Sequence, residues 1–114
     1  KIHTDAIKEN IVMPLKLSSK DALITYATEA DVLNKALFGI TAKEWASRNK
    51  GKSGNMRDYA TIHQLVCLSN LEGLNAEFVK MGFSQPQRLL KLNNAAITQM
   101  RSLLANKNVQ KFLE

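Results

Sequence analysis

The sequence predicts an all-α fold: a small helical bundle built around a long antiparallel hairpin, about residues 62–81 and 85–105, with shorter helices before it. Three observations predict it. Helix-start signatures repeat with the same chemistry, glycines stand where helices should stop, and apolar positions recur at helical spacing in the last half of the chain.

The starts are capping boxes, in which a hydroxyl accepts from a free backbone N–H and a side chain three residues later returns a bond to the cap. Thr41-Ala42-Lys43-Glu44 is the clearest, followed by Thr61-Ile62-His63-Gln64 and Ser84-Gln85-Pro86-Gln87. Thr28-Glu29-Ala30-Asp31 is a weaker version, because Asp is shorter than Glu. Gly39, Gly51 and Gly82 supply the stops, since glycine past a helix end adopts the left-handed conformation at no steric cost. Starts and stops together define helices at about 29–38, 42–49, 62–81 and 85–105.

The two long helices are joined only by Gly82, Phe83 and Ser84, so antiparallel packing is expected. In the last helix Leu90, Ile97 and Leu104 repeat every seven residues, as do Leu89, Ala96 and Leu103, with Met100 completing the stripe. Its partner offers Ile62, Leu65, Val66, Leu68, Leu71, Leu74, Phe78 and Met81 as an apolar face. Ser69, Gly73 and Ala76 form a line of small residues that would let another helix approach closely.

The N-terminal third is less regular. Thr4 or Asp5 can cap a short helix reaching Val12, before Pro14 interrupts. Residues 1–17 read as a linker or short helix. Residues 22–27 fit either a short strand or a helix capped at Ser18 or Ser19 that runs into 29–38. The spacing of Leu23, Ala27, Ala30, Leu33 and Leu37 favours helix. Residues 50–60 are the one long loop.

The 114 residues fit a single domain, and the opening Lys1 suggests that it is cut from a longer chain. No stretch approaches the roughly 18 apolar residues of a membrane span. The single cysteine, Cys67, permits no intrachain disulfide, so a reducing, cytoplasmic setting is the default. Cys67 lies in an apolar run without a neighbouring cation to activate it and reads as a small core residue.

No catalytic machinery is legible, and the chain is expected not to be an enzyme. His3 and His63 are 60 residues apart and no paired-cysteine or His-x-x-x-His spacing occurs, so no metal or other cofactor is expected. His63 reads as a surface or hydrogen-bonded residue. A Cys67–His63 pair would sit one turn apart but lacks an orienting third group.

The charge is +6, and its distribution offers two basic regions. Lys50 and Lys52, with Arg57 beyond them, lie in a glycine-containing loop able to form an anion nest, although no phosphate-loop motif is present. Between Gln85 and Leu113 stand Arg88, Lys91, Arg101, Lys107 and Lys111 with no acid among them. Lys50, Lys52, Arg57, Arg88, Lys91 and Arg101 are therefore candidate phosphate contacts for sequence-neutral nucleic-acid binding. The alternative is an ordinary solvated face. No basic–aromatic alternation marks a base-stacking surface. Arg57-Asp58-Tyr59 reads as a local ion pair locking the loop to the next helix, or as an exposed Arg–Tyr pair. Trp45, Phe83 and Phe112 are candidate anchors for a protein interface, unless they belong to the core.

Several strings resemble a known family. They are Thr28–Asn34, Ala36–Gly39 with Thr41–Trp45, Gly54–Ala60, Leu68–Ala76, and Ser84-Gln85 through Gln99-Met100. Together, over roughly residues 20–104, they resemble the region that follows the KilA-N domain in bacterial and phage KilA-N-domain proteins. The resemblance implies a phage or mobile-element protein whose DNA binding resides in an N-terminal KilA-N module missing from this chain. It supplies no catalytic residues. The basic Lys50–Ser53 stretch departs from the acidic, proline-containing stretch common in that family. The expectation is a helical accessory domain for interaction or oligomerisation, with a protein partner or a second copy, no membrane and no small-molecule substrate. Auxiliary nucleic-acid binding is the alternative.

Overall fold

The computed structural model describes residues 13–105. Its helices are α1 (Ser19–Ala22), α2 (Glu29–Phe38), α3 (Ala42–Arg48), α4 (Ile62–Lys80) and α5 (Gln85–Ala105), with a 3-10 turn at Met56–Tyr59 between α3 and α4. No strand occurs among the described residues. The helix expected before Pro14 and the anchor Phe112 lie outside them.

The capping boxes form as local chemistry predicts. Thr28, Thr41 and Thr61 each accept from the backbone N–H three residues on, at 3.0, 3.2 and 3.1 Å. Asp31, Glu44 and Gln64 return bonds to the cap N–H groups. Ser84 and Gln87 do the same for α5. Two boxes were not anticipated, Ser18 with Asp21 at α1 and Asn55 with Asp58 at the 3-10 turn.

The hairpin turn closes in a left-handed glycine. Gly82 has φ +82°, its N–H donates to Val79 O, and the Phe83 N–H donates to Phe78 O at 3.1 Å. The accompanying apolar contact is an edge-to-face pair of Phe78 and Phe83, ring centroids 5.6 Å apart. Gly51 does not terminate α3 in this way. The Asn49 side-chain amide donates to Trp45 O at 2.8 Å and takes over that task.

α5 is the central element, with α2 and α4 both packed along it and against each other. The core joins Val32, Leu33, Ala36 and Leu37 of α2 to Cys67, Leu68 and Leu71 of α4 and to Leu89, Leu92, Ala96 and Met100 of α5. The Leu89 register therefore faces inward, while Leu90, Ile97 and Leu104 run half-buried along its edge.

α4 departs most from expectation. Its inward face carries His63, Gln64 and Asn75, while Ile62, Leu65 and Val66 are each more than a third exposed and Met81 is two-thirds exposed. Ser69, Gly73 and Ala76 lie on the outer side, and a Cβ added at Gly73 would meet nothing within 4 Å. The anticipated close helix approach along this line is absent among the described residues. Gly73→Ala should therefore stabilise the protein by about 0.5–1 kcal/mol through helix propensity alone. Urea denaturation would register this as a higher midpoint with an unchanged slope.

The segment before α2 is neither the strand nor the continuous helix considered above. α1 is one turn, Leu23 and Ile24 are exposed, and Tyr26 is pulled out of helical geometry by α5. The Tyr26 N–H donates to Gln85 Oε1 at 2.7 Å and Gln85 Nε2 donates back to Tyr26 O at 2.9 Å. Residues 13–17 are likewise strapped down rather than a free linker. Asn93 accepts from the Leu17 N–H at 2.9 Å, and its amide donates to Leu15 O and to Ala36 O, each at 2.9 Å.

Candidate docking site

Downstream of Gly39 the chain leaves the three-helix core and builds a small annex from α3 and the 3-10 turn, which pack together. α3 has no fully buried residue, so its one large apolar side chain, Trp45, stays half-exposed. The 3-10 turn buries Met56 and presents Tyr59, 49 % exposed, to Trp45. The two rings are tilted by 34° with centroids 5.2 Å apart, a geometry within the favourable range for aromatic pairs. The Tyr59 hydroxyl donates to Ser53 O at 2.7 Å and so ties the loop over the ring. Lys52 Nζ sits 5.0 Å from the Tyr59 ring centroid, within reach of a cation–π contact.

An open cavity of about 300 Å³ lies between this annex and the core. Met13, Pro14 and Leu15 border it from the N-terminal strap, Phe38 and Ile40 from the end of α2, and Trp45, Met56 and Tyr59 from the annex. Gln64, the Tyr59 hydroxyl and the Trp45 indole N–H are the polar side-chain groups of the wall, and Gln64 Oε1 already accepts from the Thr61 N–H at 2.9 Å. The segment that supplies Trp45, Met56 and Tyr59 is basic. Residues 41–60 hold Lys43, Arg48, Lys50, Lys52 and Arg57 against two acids, Glu44 and Asp58. The Thr41 N–H holds the Glu44 carboxyl below its ordinary range, so Glu44 is committed to its own cap.

The structure separates the residues grouped by sequence. Lys50 and Lys52 are exposed at this end of the molecule. Arg57 reaches Glu72 on α4 at 3.8 Å, an exposed pair that contributes little energy. The expected lock between loop and helix therefore runs through Glu72, while Asp58 serves the Asn55 cap. Lys91 is exposed, with its ammonium 4.7 Å from the Phe83 ring centroid, and Arg101 is exposed ten residues further along α5.

Arg88 requires correction. It is buried, not presented to phosphate, and is engaged by Glu29, Asn75 and Phe83 O. Phe83 is committed to the hairpin turn. Trp45 alone among the described candidate anchors lines a cavity. Met56 is not singled out by the sequence, and Tyr59 only as half of an Arg–Tyr pair, whereas the structure pairs it with Trp45 and pairs Arg57 with Glu72. The box Asn55-x-x-Asp58 is the signal that could have found the ordered turn placing them.

His63 is another correction. It is fully buried on α4, and neither ring nitrogen has a hydrogen-bond partner. Burial lowers its pKa from the ordinary 6.5. Cys67, one turn on, is fully buried, and burial pushes its thiol up to about 11, so it is no nucleophile at neutral pH. The linkage sign for His63 follows from its depressed value. Above the unfolded value of 6.5 both states are neutral and nothing is lost. As pH falls below it the unfolded chain gains the proton first, and stability declines by at most about 1.4 kcal/mol per pH unit until the folded value is passed. Chemical denaturation from pH 7 to 5 should show this decline, and His63→Leu should flatten it.

Among the described residues no group of three His, Cys, Asp or Glu side chains is placed to hold a metal ion, and no helix is long and apolar enough to cross a membrane. Searches of family models, curated proteins and solved structures return no match to the chain.

Proposed function

We propose that this chain is a non-catalytic helical accessory domain that docks a partner protein, carried by a KilA-N-type DNA-binding protein of phage or mobile-element origin. DNA binding itself belongs, in this reading, to a separate KilA-N module. The family context rests on the strings between Thr28 and Met100. The docking role rests on one observation: an open, mainly apolar cavity whose mouth carries the Trp45–Tyr59 pair. Concave apolar sites of this kind hold the anchor side chains that dominate interface energy.

Auxiliary nucleic-acid binding is the weaker reading. Its basic set is divided once Arg88 is turned inward and Arg57 is paired, and Lys91 and Arg101 stand roughly 15 Å apart along α5.

Trp45 is the sole tryptophan, so its emission reports on this site alone. Millimolar N-acetyl-leucinamide should shift Trp45 emission and the Met56 methyl resonance saturably, and Tyr59→Ala should weaken the effect. Saturating shifts elsewhere in the chain, with Trp45 and Met56 unmoved, would defeat the docking role.

A further inference from the structure

The geometry points to an acidic peptide segment of the partner as the occupant of this cavity, with one apolar side chain inserted beside Trp45 and Tyr59 and flanking carboxylates on Arg48, Lys50 and Lys52. This rests on the docking role and adds the partner's chemistry to it.

Size sets the first limit. About 300 Å³ accommodates one or two large apolar side chains, at the small end of binding cavities. Polar satisfaction sets the second. A nucleobase brings a row of donors and acceptors that need partners, because a buried polar edge left unpaired is costly. The wall offers few: Gln64 Oε1 is held by the Thr61 N–H and the Tyr59 hydroxyl donates to Ser53 O, so Trp45 Nε1 and Gln64 Nε2 are the side-chain donors left to a ligand among the described residues. An aliphatic or aromatic side chain asks for no such partner.

Charge supplies the third. Arg48 lies three residues, almost one helical turn, beyond Trp45 on α3. Lys50 and Lys52 follow in the turn that the Lys52 N–H closes onto Asn49 O at 3.0 Å, and Lys52 already leans on the Tyr59 ring. Two acids share this segment as caps, Glu44 on the Thr41 N–H and Asp58 on the Asn55 N–H, and the five cations of residues 41–60 outnumber them. Lys52 against the Tyr59 ring, with exposed Arg48 and Lys50 in the same short segment after Trp45, is complementary to carboxylates flanking an apolar residue, and such complementarity steers encounter and selects the partner.

The test uses the full chain, Trp45 emission, and three acetylated, amidated hexapeptides at about 50 mM salt, where surface attraction is least screened. Asp-Glu-Leu-Leu-Asp-Glu should bind about tenfold more tightly than Asn-Gln-Leu-Leu-Asn-Gln, and Asp-Glu-Ser-Ser-Asp-Glu should not saturate. The double variant Lys50→Glu/Lys52→Glu should lower affinity for the first peptide about tenfold without moving the thermal midpoint, since both side chains are exposed. Equal binding of the neutral leucine peptide would overturn the acidic partner while leaving the docking role intact. Failure of every leucine-bearing ligand, N-acetyl-leucinamide included, to perturb Trp45 would overturn both. Tighter binding of oligo-dT than of the acidic leucine peptide would overturn the inference in favour of single-stranded nucleic acid.

Discussion

Arg88→Ala should lower stability by about 2–4 kcal/mol, which for a domain of this size is a fall of roughly 10–20 °C in thermal midpoint. Arg88 projects from α5 into the junction of α2 and α4. Its guanidinium makes a two-pronged contact with Glu29, with Nη2 3.2 Å from Oε2, while Nη1 also donates to Asn75 Oδ1 at 3.0 Å and Nε donates to Phe83 O at 3.1 Å. Alanine removes donors from a carboxylate, a buried amide and a turn carbonyl at once. Arg88→Lys should recover only part of the loss, because an ammonium cannot reproduce the planar fork. The same contacts give a pH signature. Arg88, then Asn75, hold the Glu29 carboxyl below its ordinary 4.5 against the opposing effect of burial. A depressed acid contributes stability that is present above its unfolded value and lost as pH falls through the folded one. The wild type should therefore lose stability below about pH 4.5, and Arg88→Ala should show a shallower loss there. Circular dichroism melts across that range read both effects.

Asn93→Ala should cost about 2–4 kcal/mol and release residues 13–17 from the bundle. Asn93 is almost fully buried in an otherwise leucine-rich part of α5, between Leu92 and Ala96. Its amide satisfies three backbone groups: the Leu17 N–H, Leu15 O and Ala36 O. The bond to Ala36 O of α2 is buried and the two to the strap are partly buried, so truncation strands the Ala36 carbonyl and strips the strap of both its ties to α5, the costly case. Asn93→Leu should be no better, since it replaces one partner of each bond with an apolar group and leaves the other. Because Leu15 lines the docking cavity, Asn93→Ala should also shift Trp45 emission without touching the annex directly. A melt that drops while Trp45 emission is unchanged would show that the strap does not shape the cavity.

These two side chains mark where sequence reasoning stops. Capping boxes and glycine stops are local, with partners three residues apart, so the boundaries of α2 and α4 and the start of α5 could be read to within a residue. The Arg88–Glu29 bond spans 59 positions and the Asn93–Leu15 bond spans 78. No periodicity reveals such pairs, and a cation in an acid-free stretch reads as a surface residue until its partner is known. α4 shows the same limit from the other side. Apolar residues run around its whole circumference, so spacing alone could not say that Leu71 faces in and Leu65 faces out. The choice is made by Gln64 and Asn75, whose hydrogen-bonding roles lie on the inner side. For the docking site, Trp45 was legible as an anchor because a lone tryptophan on a short helix is hard to bury. Its pairing with Tyr59 depends on how the loop from Lys50 to Ala60 folds back, and the Asn55–Asp58 box controls that fold.

The central claim is that polar side chains of α5 hold the non-helical N-terminal segments against the core and thereby complete the cavity. Amide hydrogen exchange followed by NMR tests it most directly, because the Leu17 and Tyr26 N–H groups lie outside any helix and are bonded to Asn93 and Gln85 alone. Both amides should exchange far more slowly than unstructured ones, with protection approaching that of α4 and α5, and Asn93→Ala should abolish it at Leu17. Exchange of both at unprotected rates in the native protein would contradict the account.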